Sequence, residues 1–199
     1  MKRKTFWMTC AMTIFIAVPS KAQSLKDLFS KDNIEKLVSD VTGKSSVNME
    51  GTWTFTGSAI EFESDNILSK AGGEVASAAA ESKLNEQLSK LGIKEGILSF
   101  TFEADSTFSA SLSGKNINGT YAYNESTKQV ELKIAKLINL HANVETTQST
   151  MELLFKSDKL LELITFLSSK SDNTTLQAIN SLAGNYDGIM LGLALKKKE

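Results

Sequence analysis

The chain has 199 residues, 23% of them charged, with 22 Lys and Arg against 23 Asp and Glu, and carries one histidine, one cysteine and one proline. A mildly acidic chain without a basic stripe is a poor nucleic-acid binder, and one histidine with one cysteine excludes a His- or Cys-rich metal centre. The length is enough for a core that needs no disulfide staples.

The first residues, MKRKTFWMTCAMTIFIAVPSKAQ, place Lys2, Arg3 and Lys4 before an apolar run from Thr5 to Val18, followed by Pro19 and the small residues Ser20 and Ala22. This is the layout of a secretory signal, so residues 1–22 are read as a signal peptide cut between Ala22 and Gln23. The apolar run is shorter than the about 20 residues a membrane crossing needs. No stable membrane anchor is therefore expected after cleavage, and the protein is expected to be exported, either periplasmic or extracellular. Cys10 sits in the middle of the run, not at its end where a lipid-carrying cysteine belongs, and leaves with the signal. The remaining chain has no cysteine, proline or arginine, since Arg3 and Pro19 are the only ones. That excludes a thiol nucleophile and a Cys-ligated zinc, and it favours a bacterial envelope protein over a disulfide-rich secreted one.

Residues 23–48 are read as an N-terminal amphipathic helix. Leu25, Leu28, Phe29, Ile34, Leu37, Val38 and Val41 fall mostly at three- and four-residue spacing, with Ser24 as a cap and Gly43 past the end. Such a face suits packing on the main domain, or a partner surface. After Gly51 the period drops to two. Trp53, Phe55, Gly57 and Ala59 share one face, and Ile60 and Phe62 fall on the other parity, which predicts a bulge near Ala59. A helix over Asn66 to Leu91 follows, capped by Ser64 or Asp65, bent at Gly72-Gly73 and ended by Gly92. From Ile97 the chain reads as a meander: Leu98–Phe102, Phe108–Leu112, Ile117–Tyr123, Val130–Ile134, Leu137–Thr146 and Ser149–Phe155. KSDKLLELITFLSS is a helix with a broad apolar face that implies deep burial. SDNTTLQAINSLAG is a shorter one, started by Asp172 or Asn173. Ile189 to Leu195 form a last strand, apolar on both faces. Strands at this spacing argue for one mainly β domain over residues 49–199, an antiparallel barrel or sandwich with helical insertions.

Gly51-Thr52-Trp53 at the start of the first strand resembles the Gly-x-Trp signature of the lipocalins and their calycin relatives. FTFEADSTFSASLSGKNINGTYAYNESTKQVEL is similar to the hairpins of lipocalin-like domains in exported proteins of gut Bacteroidetes. The whole chain resembles an uncharacterised exported lipocalin-like (calycin-like) domain family of Bacteroidetes, over about Gly51 to Lys198. The resemblance implies an antiparallel β-barrel of about eight strands, with helices after the first strand and before the last. Lipocalins pack an Arg near the last strand across the Trp; here a Lys such as Lys196 has to take that place. Gly51 and Trp53 then serve as a structural plug: the Gly allows a sharp turn and close packing, and the Trp closes the barrel floor.

Sites of chemistry are scarce. His141 alternates with Ile138, Leu140, Ala142 and Val144, which places it on the polar face of a strand. Glu61 and Glu63 share one face and are the strongest acid–base candidate, while Glu103 and Asp105 flank a turn. Gly72-Gly73 lacks the Lys and the strand–loop context of a phosphate loop. No catalytic, cofactor or metal site is expected, and the protein is read as a non-enzyme without a cofactor. An eight-stranded barrel is either filled by its side chains or holds one small ligand. Phe100, Phe102, Phe108, Tyr121, Tyr123 and Met151 are the candidate ligand-binding residues in the second case and core in the first. The function classes left open are an exported carrier of a small hydrophobic ligand, a structural or protein-interaction module of the envelope with a filled core, and, third, a hydrolase working through carboxylates such as Glu61 and Glu63. No particular protein partner is indicated.

Overall fold

The computed structural model describes residues 48–63, 73–135, 138–168, 172–186 and 188–198. The signal sequence, the helix expected over residues 23–48 and the caps Ser64 and Asp65 lie outside the described residues.

Eight strands follow in chain order: β1 (Gly51–Phe62), β2 (Leu98–Phe102), β3 (Thr107–Leu112), β4 (Lys115–Asn124), β5 (Gln129–Ile134), β6 (Ile138–Thr146), β7 (Thr150–Phe155) and β8 (Ile189–Lys197). Each pairs antiparallel with the next, and β8 pairs with β1 to close the barrel. Among the described residues three helices interrupt the series: α1 (Glu74–Lys90) between β1 and β2, and α2 (Ser157–Leu167) and α3 (Asn173–Gly184) between β7 and β8. The inward set on each strand is the apolar parity of the sequence. It runs through Leu98, Phe100 and Phe102, then Val130, Leu132 and Ile134, then Ile138, Leu140, Ala142 and Val144.

One expectation is corrected. The register shift in β1 lies between Phe55 and Gly57, not near Ala59. Beyond it the parity flips, so Trp53 and Phe55 face the core while Ala59 joins a separate cluster with Leu154 and Met190. Among the described residues, the helix after β1 begins at Glu74, with Gly73 as its N-cap at φ 71°. A glycine there suits the positive φ of this N-cap at little steric cost, and the Asn66–Gly72 part of the expected helix lies outside the described residues. The end is as expected, with Gly92 at φ 85° just past it.

The topology fixes the two ends of the barrel. Consecutive antiparallel strands put the β2–β3, β4–β5 and β6–β7 hairpins at one end, with the start of β1 and the end of β8. The β1–β2 and β7–β8 connections, which carry all three helices, fall at the opposite end. One end is thus closed by tight turns and the other is covered by helices.

Candidate functional site

At the hairpin end Trp53 is 1% exposed, and its indole N–H donates to the Met49 carbonyl at 2.7 Å. Trp53 pairs directly with Lys197, so both side chains stand on the same face; Lys196 pairs with Thr54 and is exposed. Lys197, not Lys196, therefore covers the Trp, with Nζ 5.3 Å from the ring centroid. Gly51 has φ 116°, and a Cβ there would lie 3.0 Å from Lys197 Cε. The Gly-x-Trp spacing thus serves two needs: a left-handed turn and room for the lysine stem that lies over the indole.

Above this floor the candidate ligand residues separate into two groups. Phe100, Phe102, Phe108 and Met151 are 0%, 1%, 2% and 0% exposed. A side chain that a water-sized sphere cannot touch borders no void able to hold a water, still less a ligand. The rings form a run: Phe100 and Phe102 stack at 6.3 Å, Phe102 and Phe108 at 6.0 Å, and Tyr121 meets Phe102 edge-on at 5.0 Å. Gly119 allows this run, because it pairs with Phe108 and a Cβ on it would fall 2.7 Å from that ring. The two tyrosines lie at the rim. The Tyr121 hydroxyl donates to the Glu103 carbonyl at 3.0 Å, in the β2–β3 turn. The Tyr123 hydroxyl is buried without a partner. Burial raises the pKa of both phenols above the ordinary tyrosine value, with Glu50 next in effect at Tyr121 and Glu125 at Tyr123.

The helical end is occupied as well. The backbone of α2 approaches β3, β4, β6, β7 and β8. In a ring of eight strands β3 faces β7 and β4 faces β8, so α2 lies between opposing walls. Leu160, Leu163, Ile164 and Leu167 of α2, Ile179 and Leu182 of α3, and Ala80, Leu84 and Leu88 of α1 are buried in the same core as the barrel. The Ser168 hydroxyl donates to the Leu91 carbonyl at 2.9 Å, tying the end of α2 to the end of α1. Three open clefts are bounded by described residues: one over Asn118, Thr120, Lys133 and Asn139, one beside Lys156, Asn180 and Tyr186, and one over Gln129, Glu131 and His141. None of the three is lined by Phe100, Phe102, Phe108 or Met151.

The Glu63 charge adds a lesser upward push to Glu61, but Glu61 is half-buried and Glu63 exposed, so the two do not share a buried acid–base site. Glu63 is past the end of β1 and exposed, and its backbone N–H bonds to the Gly188 carbonyl at 2.8 Å. Glu61 is instead grouped with carboxylates that sequence spacing did not suggest. Burial pushes its carboxyl above the ordinary range and the nearby Glu145 charge adds to this, while Asn143 opposes as a hydrogen-bond partner. Glu152 is raised first by burial, then by Glu145, Glu81 and Glu61. Glu145 and Glu152 stand directly opposite on β6 and β7, an unfavourable placement for like charges. His141 is exposed and pairs with Glu131 across the β5–β6 ladder.

Residues 25–197 match the family model described as Lipocalin-like domain (DUF4923), and the chain belongs to that family. Among solved structures, the chain is similar to a DUF4847 family protein from Bacteroides vulgatus, at 13% identity and a TM-score of 0.35. That alignment covers 80% of this chain and 99% of the other. Comparison with curated proteins gave no match.

Proposed function

We propose that this lipocalin-like protein is an exported, non-enzymatic module of the bacterial envelope that acts through its outer surface, its barrel being filled by its own side chains and helices. The basic start, short apolar run and small residues before Gln23 support export. The observation that carries the filled-barrel reading is α2, held between opposing walls with Leu160, Leu163, Ile164 and Leu167 each at most 1% exposed.

A magnitude weighs this reading against a carrier. Admitting a guest means withdrawing α2, and uncovering four large apolar side chains at about 1.5–3 kcal/mol each costs about 6–12 kcal/mol. The whole stability of a domain is about 5–15 kcal/mol. A ligand bound with micromolar affinity supplies only about 8 kcal/mol in total. Opening the mouth therefore approaches global unfolding, which a carrier cannot afford on each cycle.

The carrier reading has one observation in its favour: the Tyr123 hydroxyl is buried with no partner, a free donor beside apolar walls. Native mass spectrometry of gently purified protein, with titration of an apolar fluorescent dye, separates the two. A filled barrel gives the bare polypeptide mass and no saturable dye binding. A co-purifying lipid-like mass would sink the proposal in favour of the carrier.

A further inference from the structure

We infer that α2 is an intramolecular guest: it takes the apolar site that an eight-stranded barrel otherwise offers to a small molecule, and its docking keeps the barrel closed to one. The inference rests on the filled-barrel reading above and deepens it by naming the ligand class that α2 displaces and the docking that controls access to it.

Barrels of eight strands are just wide enough for side chains to fill or for one small ligand. A helix that approaches β3 and β7, and also β4 and β8, spans that width. At 1.5 Å per residue, 11 residues reach about 16 Å, so α2 crosses the mouth rather than touching its rim. A guest of comparable bulk has no room beside it. The ends of α2 are weakly fixed for a helix of such burial. Its N-cap is Lys156, with no side-chain cap, and the last turn receives the Ser168 N–H at the Ile164 carbonyl. Apolar contact with the barrel and packing against α3, together with the Ser168–Leu91 bond, hold it in place.

The chemistry of the space follows from its walls. The buried apolar residues of the barrel are Leu, Ile, Val, Phe, Ala, Met and Trp, and among the described residues the buried polar ones are Ser168 and Thr175, both uncharged and both in the helical connection. The matching ligand is small, neutral and apolar, and its binding is set by how firmly α2 docks.

Toluene is a suitable probe, read by calorimetry and by the shift in melting temperature. Leu163→Ala shortens a fully buried side chain of α2, and the folded variant is expected to bind toluene saturably, at least about tenfold tighter than wild type. Leu154→Ala removes the same atoms from the separate cluster outside the main core and is expected to gain nothing. Ile164→Val with xenon as probe provides a milder deletion should Leu163→Ala not fold. A folded α2 variant that binds no tighter than wild type and Leu154→Ala overturns the inference, because the walls then close without leaving a site. Saturable binding by wild type instead defeats the filled-barrel reading, so the two failures are distinct.

Discussion

The contact between Lys197 and Trp53 yields a quantitative test of how this chain closes its hairpin end without an arginine. Trp53→Leu removes the ring and the N–H, leaving the Met49 carbonyl buried without its donor. An unsatisfied buried acceptor costs about 1–3 kcal/mol, and large-to-small aromatic deletions in cores run to about 3–5 kcal/mol. The two terms sum to about 4–8 kcal/mol, and because Leu keeps more of the ring's volume than Ala would, a loss near the lower end, about 4–5 kcal/mol, is expected. Lys197→Met keeps an apolar stem over Gly51 and removes only the charge 5.3 Å from the ring centroid. Because Lys197 is only half-buried, the cation–π attraction lies near the exposed end of its range, about 0.5–1 kcal/mol. In the double-mutant cycle the two changes should therefore couple by about 0.5–1 kcal/mol. Urea unfolding followed by far-UV circular dichroism measures all four proteins, with unchanged m-values as the check on two-state behaviour. If Lys197→Met costs the same with and without the indole, the charge does not act on the ring and the reasoning is refuted. Lys197→Arg should match or exceed wild type, because a planar guanidinium stacks where an ammonium cannot.

Two glycines give a contrasting pair. In Gly119→Ala the new Cβ would run into the Lys133 carbonyl oxygen, and backbone cannot swing away as a side-chain tip can. A loss of about 3 kcal/mol or more is expected from overpacking. Gly57→Ala meets nothing within 4 Å, so thermal unfolding should show it neutral or more stable by up to about 1 kcal/mol; equal losses at both sites would show that local space does not decide. The carboxylates set a pH dependence. Glu61 and Glu152 have folded-state pKa values above the ordinary 4.5, so the folded protein holds their protons more tightly than the unfolded chain does. Stability is then lowest above the folded values, rises as pH falls through them, and stops gaining from these groups below 4.5. Tm should climb on acidification from pH 7 to about 5, with Glu152→Gln flattening the climb. A Tm that falls over this interval, or a Glu152→Gln profile parallel to wild type, contradicts the assignment. Asp172, held low first by the Thr175 hydroxyl and then by the Thr174 N–H, pulls the other way only below its ordinary 3.8.

Much of the barrel was legible because alternation over five to ten residues reports a half-buried strand directly. Leu98 to Phe102 and Ile138 to Val144 each bury every second residue, as their patterns required. The helix-bearing connections were legible for the same reason, since a shift of period from two to 3.6 marks them. The bulge was misplaced because Gly57 and Ala59 are small and continue the apparent alternation past the point where the ladder slips. The sequence offers a C-terminal lysine such as Lys196 without fixing which, because only the β1–β8 register shows which lysine stands opposite the Trp. The Glu61 environment was hidden for a deeper reason: Glu145 and Glu152 lie more than 80 residues away, and closure of the sheet is what groups them. The sequence of α2 announced burial through its broad apolar face, but nothing local in KLLELITFL says that its burial partner is the barrel itself.

The most direct measurement of that arrangement is native-state hydrogen exchange on α2. A helix whose release costs about 6–12 kcal/mol should open only with the whole domain. Its amides are expected to exchange among the slowest in the protein, with the same free energy and denaturant dependence as those of β6 and β8. Exchange of the α2 amides through a local opening several kcal/mol below the global value would contradict the filled barrel.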